Sequence, residues 1–343
     1  MNILIHFGHP AHVHLFKNLI YELQREGHRF IFTHRDKEIT KHLLNKYGFE
    51  SNRIVKNRSN TYSDKFFGLV ESQINIYNLI LKNKPDIMLG VATGFLAHVG
   101  KLLDIPVFIL DDTEHSKLEI LLYRYFSTKI FTPTLFGKSL GNKHELYNSY
   151  HELAYLHRKR FRPNPEIKKF LGVRNDEKYV IIRFVSWGAL HDNGFGGFTL
   201  KQKVRLVYEL SKFAKVFISS EGFLPTELQD YKIDIPSEKI HDAMYYSCFH
   251  IGEGTTMANE SALLGVPTIY VSSLPEMGVV RDIEKYGFLT WYKSYNPEIL
   301  PKAKEAIINY SNAKQTSLTK KYKDKIDLTG LLISRIKGEV SDE

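Results

Sequence analysis

The chain has 343 residues, enough for two domains of ordinary size, and its 43% hydrophobic and 25% charged content is that of a soluble globular protein, not a disordered or fibrous one. Its single cysteine, Cys248, excludes an intrachain disulfide framework, fits a reducing compartment and reads as a buried strand residue. A net charge of +9 admits an anionic membrane surface or an anionic small substrate; the dispersed basic residues, with no RNP-like, zinc-finger or recognition-helix pattern, argue against nucleic acid.

The N-terminus goes straight into Asn2-Ile3-Leu4-Ile5-His6-Phe7, a strand with no basic leader before it or cleavage site after it. No apolar run reaches the roughly 18 residues that span a bilayer. A cytoplasmic protein is expected. Helix patterns at 12–26, 36–47, 64–83, 93–103 and 114–126 alternate with strand patterns at 29–33, 86–90, 106–110 and 129–132. Parallel strands need crossover connections, so this alternation predicts a parallel sheet with helices on both faces and functional groups at the carboxyl ends of its strands.

Three of those strand ends carry polar clusters. Gly8, His9 and His12 follow the first, Thr93 follows the strand at 86–90, and Asp111, Asp112, Glu114 and His115 follow the strand at 106–110. His9, Asp111 and Asp112 are candidate bases, since an imidazole or carboxylate at such an edge can meet a substrate hydroxyl. Gly8, His12, Thr93, Glu114 and His115 are candidate binding residues. The alternative for Thr93, Asp112 and Thr113 is that each merely caps the next helix. His9, His12 and His14 lack a carboxylate or thiolate neighbour at metal-ligand spacing, so neither a metal nor another cofactor is expected. The segment 116–129 mixes Lys117, Arg124 and Lys129 with Leu118, Ile120, Leu121, Tyr125 and Phe126; it is either a buried helix with snorkelling lysines or a face that rests on anionic lipid.

Pro133, Gly137, Gly141, Pro163 and Pro165 punctuate 133–178, with Tyr150-His151-Glu152-Leu153-Ala154-Tyr155-Leu156 read as a brief strand among them. The domains are placed at 1–160 and 161–343 with a hinge at Phe161-Arg162-Pro163-Asn164-Pro165, and the last helix is allowed to cross back to the first domain. The second half restarts at Tyr179-Val180-Ile181-Ile182-Arg183-Phe184-Val185. Helices at 199–213, 237–247, 256–264 and 278–286 then alternate with strands at 215–219, 248–251, 268–271 and 288–291, before terminal helices at 297–311 and 315–337. A glycine-rich loop after its first strand holds Ser186, Trp187, His191 and Asp192, and Ser220 and Glu221 end the neighbouring strand. His191 and Asp192 are catalytic candidates; Arg183, Ser186, Trp187, Ser220 and Glu221 are binding candidates. A bare surface loop is the alternative.

The most informative stretch is 250–270. A short strand ends in Gly252 and Gly254, Thr255 and Thr256 open a helix, and Gly265 with Pro267 closes it. A helix N-terminus leaves backbone N–H groups unpaired and presents the positive end of its dipole, a setting for a diphosphate. Glu260, about one and a half turns in, can accept from the two hydroxyls of a ribose. No lysine follows the glycines as in a Walker loop, and Met257 stands where G-x-G-x-x-G would have its third glycine.

Gly254, Thr255, Thr256 and Glu260 resemble the donor-binding segment of the GT-B superfamily of two-domain glycosyltransferases and non-hydrolysing UDP-N-acetylglucosamine 2-epimerases. Residues 1–292 as a whole resemble one GT-B-like family, a domain of unknown function often found with polysaccharide-synthesis proteins. The likeness rests on Gly8-His9-Pro10-Ala11-His12-Val13-His14, Glu152-Leu153-Ala154-Tyr155-Leu156, Arg162-Pro163-Asn164-Pro165, Arg183-Phe184-Val185-Ser186-Trp187 with His191-Asp192, Ile218-Ser219-Ser220-Glu221, and Thr255-Thr256-Met257 with Glu260 and Leu264-Gly265-Val266-Pro267. The resemblance implies an α/β, GT-B-like fold of two doubly wound Rossmann-like domains facing a cleft, with the donor in the second and the acceptor in the first. It implies a metal-independent glycosyltransferase that uses a nucleotide-diphosphate sugar, a UDP-sugar first, and a glycan or lipid-linked acceptor in surface polysaccharide synthesis, peripheral at the inner face of the membrane. A 2-epimerase is the second expectation, although such enzymes carry a His-Arg-x-Glu-Asn type motif where this chain has Ser186-Trp187-Gly188-Ala189-Leu190-His191-Asp192. A non-catalytic nucleotide-sugar binding protein is the third.

Overall fold

The computed structural model describes residues 1–35, 38–55, 62–185, 196–220, 222, 224–310 and 322–341. They fall into two compact units, Met1–Arg160 with Lys325–Glu343, and Phe161–Asp324.

The first unit is built on β1 (Asn2–Phe7), β2 (Arg29–Arg35), β3 (Ser51–Val55), β4 (Ile87–Val91), β5 (Val107–Leu110), β6 (Lys129–Pro133) and β7 (His144–Tyr147). They form one sheet in the order β3-β2-β1-β4-β5-β6-β7, every pairing parallel. The inner strands are apolar without a break: Ile3 to Ile5, Ile87 to Leu89 and Val107 to Leu110 are all fully buried, as strands covered on both faces must be. The crossovers are α1 (Pro10–Arg25), α2 (Glu38–Lys46), α3 (Tyr62–Asn83), α4 (Gly94–Leu103) and α5 (Lys117–Arg124). Gly100 lets α4 lie flat on the sheet, because a Cβ there would come within 2.1 Å of the Val107 side chain.

The stretch expected as a strand at 150–156 is instead a turn followed by the short helix α6 (Leu153–Leu156). Its four residues are buried all round, a pattern that does not distinguish a strand from a helix, and the Ala154 carbonyl is taken by Asn18 Nδ2 (2.9 Å), not by a sheet partner. The unit closes with α13 (Leu328–Ser341), which packs on α1 and α6. Thr329 Oγ1 donates to the same Ala154 carbonyl at 2.9 Å, and Arg160 forks onto Asp327 while also reaching Glu22.

The second unit contains β8 (Tyr179–Phe184), β9 (Lys215–Ser220), β10 (Phe249–Gly252), β11 (Thr268–Val271) and β12 (Leu289–Tyr292) in the order β12-β11-β10-β8-β9, again all parallel. Around it lie α7 (Glu166–Phe170), α8 (Leu200–Ser211), α9 (Ile240–Tyr246), α10 (Thr255–Leu263), α11 (Gly278–Lys285) and α12 (Ile299–Ile308). A capping box between Thr199 and Gln202 starts α8. Cys248 is buried just before β10, and burial pushes its thiol up to about 12. In each sheet the chain reverses its direction of growth once, between β1 and β4 and between β8 and β10. Crevices at the carboxyl ends of strands open at such reversals.

Candidate functional site

In the second unit the reversal point carries the glycine turn. β10 ends at Gly252, Gly254 is the N-cap of α10 with extended dihedrals, and no side chain caps the helix. The amide N–H groups of the first turn therefore face outward together with the positive end of the helix dipole. Arg183, opposite Gly252 in the register of β8 and β10, lies against this turn: a Cβ on Gly252 would stand 2.9 Å from the Arg183 Cβ, and one on Gly254 would stand 3.3 Å from Val185 Cγ1. Arg183 Nη1 donates to Ser219 Oγ at 2.6 Å, which holds the guanidinium at the strand-end edge. Thr255 Oγ1 and Tyr270 Oη are 2.6 Å apart, and Thr256 is half-buried beside them. Ser220 Oγ donates to the Gly222 carbonyl at 3.1 Å.

Two residues show their roles only in three dimensions. Glu253 is buried, and its carboxylate accepts from the amides of Val185 (3.0 Å) and Phe198 (2.7 Å) and from Lys203 Nζ (3.2 Å), so it ties both roots of the glycine-rich loop to the turn. Gly197 must be a glycine here, since a Cβ would come within 2.3 Å of Glu253 Oε1. Glu260 lies on the inward side of α10, 3% exposed, with Oε1 at 3.0 Å from Nε2 of the equally buried His241. Ser186, Trp187, His191, Asp192 and Glu221 lie outside the described residues.

The first unit gathers a different set. His9 is the N-cap of α1 and accepts the Ala11 amide on Nδ1 at 3.2 Å, while His12 Nδ1 accepts the Gly8 amide at 3.3 Å. Burial first, then the neighbouring His9 and His151, hold His12 well below the ordinary imidazole range, so its ring is neutral. Ala92 has φ of +46°, an unusual left-handed turn for a residue with a Cβ, and Thr93 Oγ1 donates to the Val91 carbonyl at 2.8 Å without capping α4. Asp112 is not the cap of α5 either, which starts after Ser116.

Asp111 and Asp112 are adjacent but not alike. Asp111 is 1% exposed and accepts from Tyr123 Oη (2.6 Å) and the Thr113 amide (2.9 Å); burial outweighs both bonds and pushes its carboxyl up to about 7. Asp112 Oδ2 lies 3.1 Å from His151 Nδ1. Burial opposes its charge, but the imidazole beside it prevails and holds the carboxyl at about 2. The effect is mutual, since burial would lower His151 and Asp112 raises it. The sequence alone does not single out His151, because its stretch fits a strand; its one signal is the polar pair His151-Glu152 in an otherwise apolar run. Glu114 and His115 are half-buried in the following turn, where the Glu114 carbonyl accepts from Lys138 Nζ. Among the described residues no group of three or more metal-binding side chains is placed to hold an ion.

The chain belongs to the family described as Protein of unknown function (DUF354), whose profile matches residues 1–336. A relative, the uncharacterized protein MJ0665 of Methanocaldococcus jannaschii, is 28% identical over 297 residues, covering 83% of this chain and 85% of the relative. Among solved structures, the UDP-GlcNAc 2-epimerase of Methanocaldococcus jannaschii is similar with a TM-score of 0.67 at 16% identity, covering 99% of this chain and 100% of that one. The UDP-GlcNAc 2-epimerase of Neisseria meningitidis bound to UDP-GlcNAc follows at 0.62 and 15%, covering 94% and 99%. The spinosyn rhamnosyltransferase SpnG, complexed with spinosyn aglycone, gives 0.62 at 13%, covering 97% and 99%. At these identities the likeness is one of fold, and that fold is GT-B.

Proposed function

We propose that this protein is a glycosyltransferase that moves a sugar from a nucleoside-diphosphate donor, a UDP-sugar first, to a hydroxyl of a glycan or lipid-linked acceptor in surface polysaccharide synthesis. The observation that carries the reading is the uncapped N-terminus of α10 beside Arg183 at the reversal point of its sheet. In this reading its amides and the guanidinium hold the diphosphate, and as the diphosphate departs they take up its developing charge without a metal. In this reading Gly254, Thr255, Thr256, Arg183 and Ser220 hold the donor, Glu260 its ribose, and Gly8, His9, His12, Thr93, Asp111 and Asp112 the acceptor side. The fold supports it, because solved relatives of that fold include structures with UDP-GlcNAc and UDP bound and one with thymidine diphosphate.

A panel of UDP-sugars, each with and without a membrane-lipid extract as acceptor, tests the reading. UDP release that requires the extract is expected. A new UDP-sugar formed without acceptor makes the protein an epimerase, and UDP binding without turnover makes it a binding protein.

A lipid-linked acceptor fits the outer face of α5. Leu118, Leu121 and Tyr125 recur at helical spacing and are 67%, 54% and 60% exposed, an apolar stripe facing water. Lys117 flanks it, Lys138 donates to the Glu114 carbonyl before the helix, and Lys143 donates to the Tyr125 carbonyl at its end. Apolar side chains ringed by lysines suit an anionic bilayer surface, and among the described residues no helix is long and apolar enough to cross one. Sedimentation with phosphatidylglycerol vesicles should show binding that salt weakens and that Leu118→Glu with Leu121→Glu abolishes; no binding at low salt removes the membrane from the proposal.

A further inference from the structure

Among the described residues, His151 Nε2 and Tyr147 Oη at the strand-end edge of the first unit have no hydrogen-bond partner. Both are buried, and their rings stack, with centroids 6.3 Å apart and planes 21° from parallel. A buried polar atom without a partner costs about 1 to 3 kcal/mol, so a pair kept this way on adjoining rings suggests a ligand group that completes both. A hydroxyl does so: it donates its proton to an imidazole nitrogen and accepts one from a phenol. The other imidazole nitrogen is fixed, because Nδ1 faces the Asp112 carboxylate at 3.1 Å, which keeps the proton on Nδ1 and leaves Nε2 as the basic atom.

We propose that His151, oriented by Asp112, is the general base that takes the acceptor hydroxyl proton, with Tyr147 donating a hydrogen bond to the same oxygen. This rests on the glycosyltransferase reading above. As the acceptor oxygen bonds to the anomeric carbon of the donor sugar, the bond from that carbon to the diphosphate breaks. The nucleoside diphosphate leaves with the electron pair, and the hydroxyl proton passes to His151 Nε2. Asp112 then faces an imidazolium, the arrangement that stabilises the charge formed on the base. The other titratable groups that influence His151 are Glu152 beside it and Asp111 next to Asp112, which both favour the charged ring; His151 in turn disfavours charge on His12 of α1.

The test uses the full chain and whichever UDP-sugar and acceptor extract give UDP release. His151→Ala should lower kcat by at least about a hundredfold, the usual worth of a positioned base, while calorimetry shows UDP affinity unchanged, and added imidazole should restore part of the rate. Asp112→Asn should lower kcat and move the acid limb of the pH profile downward, because the carboxylate that raises His151 is gone. Histidine NMR should show the same downward shift without any turnover. A His151→Ala enzyme as fast as wild type, or an acid limb unmoved by Asp112→Asn, overturns the base. A wild-type protein that binds no UDP overturns the donor reading instead, so the two failures are distinguishable.

Discussion

The two strand-end edges of this protein share a parallel-sheet plan but are furnished with opposite chemistry. The edge of the first unit holds His12, Asp111, Asp112, Tyr147 and His151, side chains that titrate and are displaced from their ordinary values in both directions. The edge of the second unit presents mainly backbone, two glycines and an uncapped helix, together with the Arg183 guanidinium. The difference teaches a division of labour. Groups that move protons need pKa values split by their surroundings, as Asp111 and Asp112 are, whereas groups that hold an anion need fixed positive potential close to the chain.

The largest expected effect tests whether proton chemistry resides on the first edge. The Asp111 carboxyl keeps its proton in the folded chain up to about pH 7, against an ordinary value of 3.8. Between those limits folded Asp111 binds more protons than unfolded Asp111, so its own contribution to the unfolding free energy falls as pH rises from about 4 to 7, by an amount of the order of 4 kcal/mol, while the buried His6, His12 and His250, held below the ordinary imidazole range, contribute in the opposite sense. The raised His151 adds to the same slope at its upper end, whereas Asp112 contributes stability that is lost only as pH falls toward 2. Asp111→Asn should remove that one contribution, so the variant's unfolding free energy should rise more steeply with pH than the wild type's between about pH 4 and 7, measured by urea unfolding at a series of pH values. A slope equal in both proteins would show that Asp111 titrates normally.

How much of this was legible in the sequence differs between the edges for a physical reason. Inner strands such as β4 and β5 are apolar runs bounded by proline or aspartate, and they are legible directly, as is the glycine turn into α10. The outermost strands of the first sheet are not legible, whereas β9 and β12 at the edges of the second sheet are. β3 reads Ser-Asn-Arg-Ile-Val and β7 reads His-Glu-Leu-Tyr, because an edge strand with one flank toward solvent keeps polar residues that blur the pattern. The local anion cradle is a feature of consecutive residues, so it appears in the sequence. The pairs Asp112 with His151, Glu260 with His241, and Glu253 with the amides of Val185 and Phe198 join distant segments, and no periodicity announces them.

Glu260 sharpens the comparison from the other side, as a buried carboxylate beneath the anion-holding edge. Its partner His241 is equally buried, so Glu260→Ala removes a buried hydrogen bond, a change of the kind that costs about 1 to 3 kcal/mol. Thermal unfolding should register that loss. If Glu260 also takes the ribose diol, UDP affinity should fall at least about tenfold, while 2′,3′-dideoxy-UDP should bind both proteins equally weakly. Lost stability with UDP affinity unchanged would make Glu260 a purely internal partner of His241.

The smallest effect is expected at Arg183, and it asks whether the second edge works by charge alone or by geometry. Arg183→Ala removes a cation that lies against the turn at Gly252 and Gly254, and with it charge-assisted hydrogen bonds worth about 1.5 to 3 kcal/mol. UDP affinity should drop by roughly ten- to a hundredfold. Uridine, which lacks the diphosphate, should bind wild type and variant alike. Arg183→Lys separates the two contributions, because it keeps the charge but loses the planar fork that bonds Ser219 and a phosphate oxygen together. An affinity between those of wild type and Arg183→Ala means that the fork and the charge both act. A lysine variant equal to wild type reduces Arg183 to a point charge, and equal UDP affinity in all three proteins places the diphosphate elsewhere and breaks the contrast between the two edges.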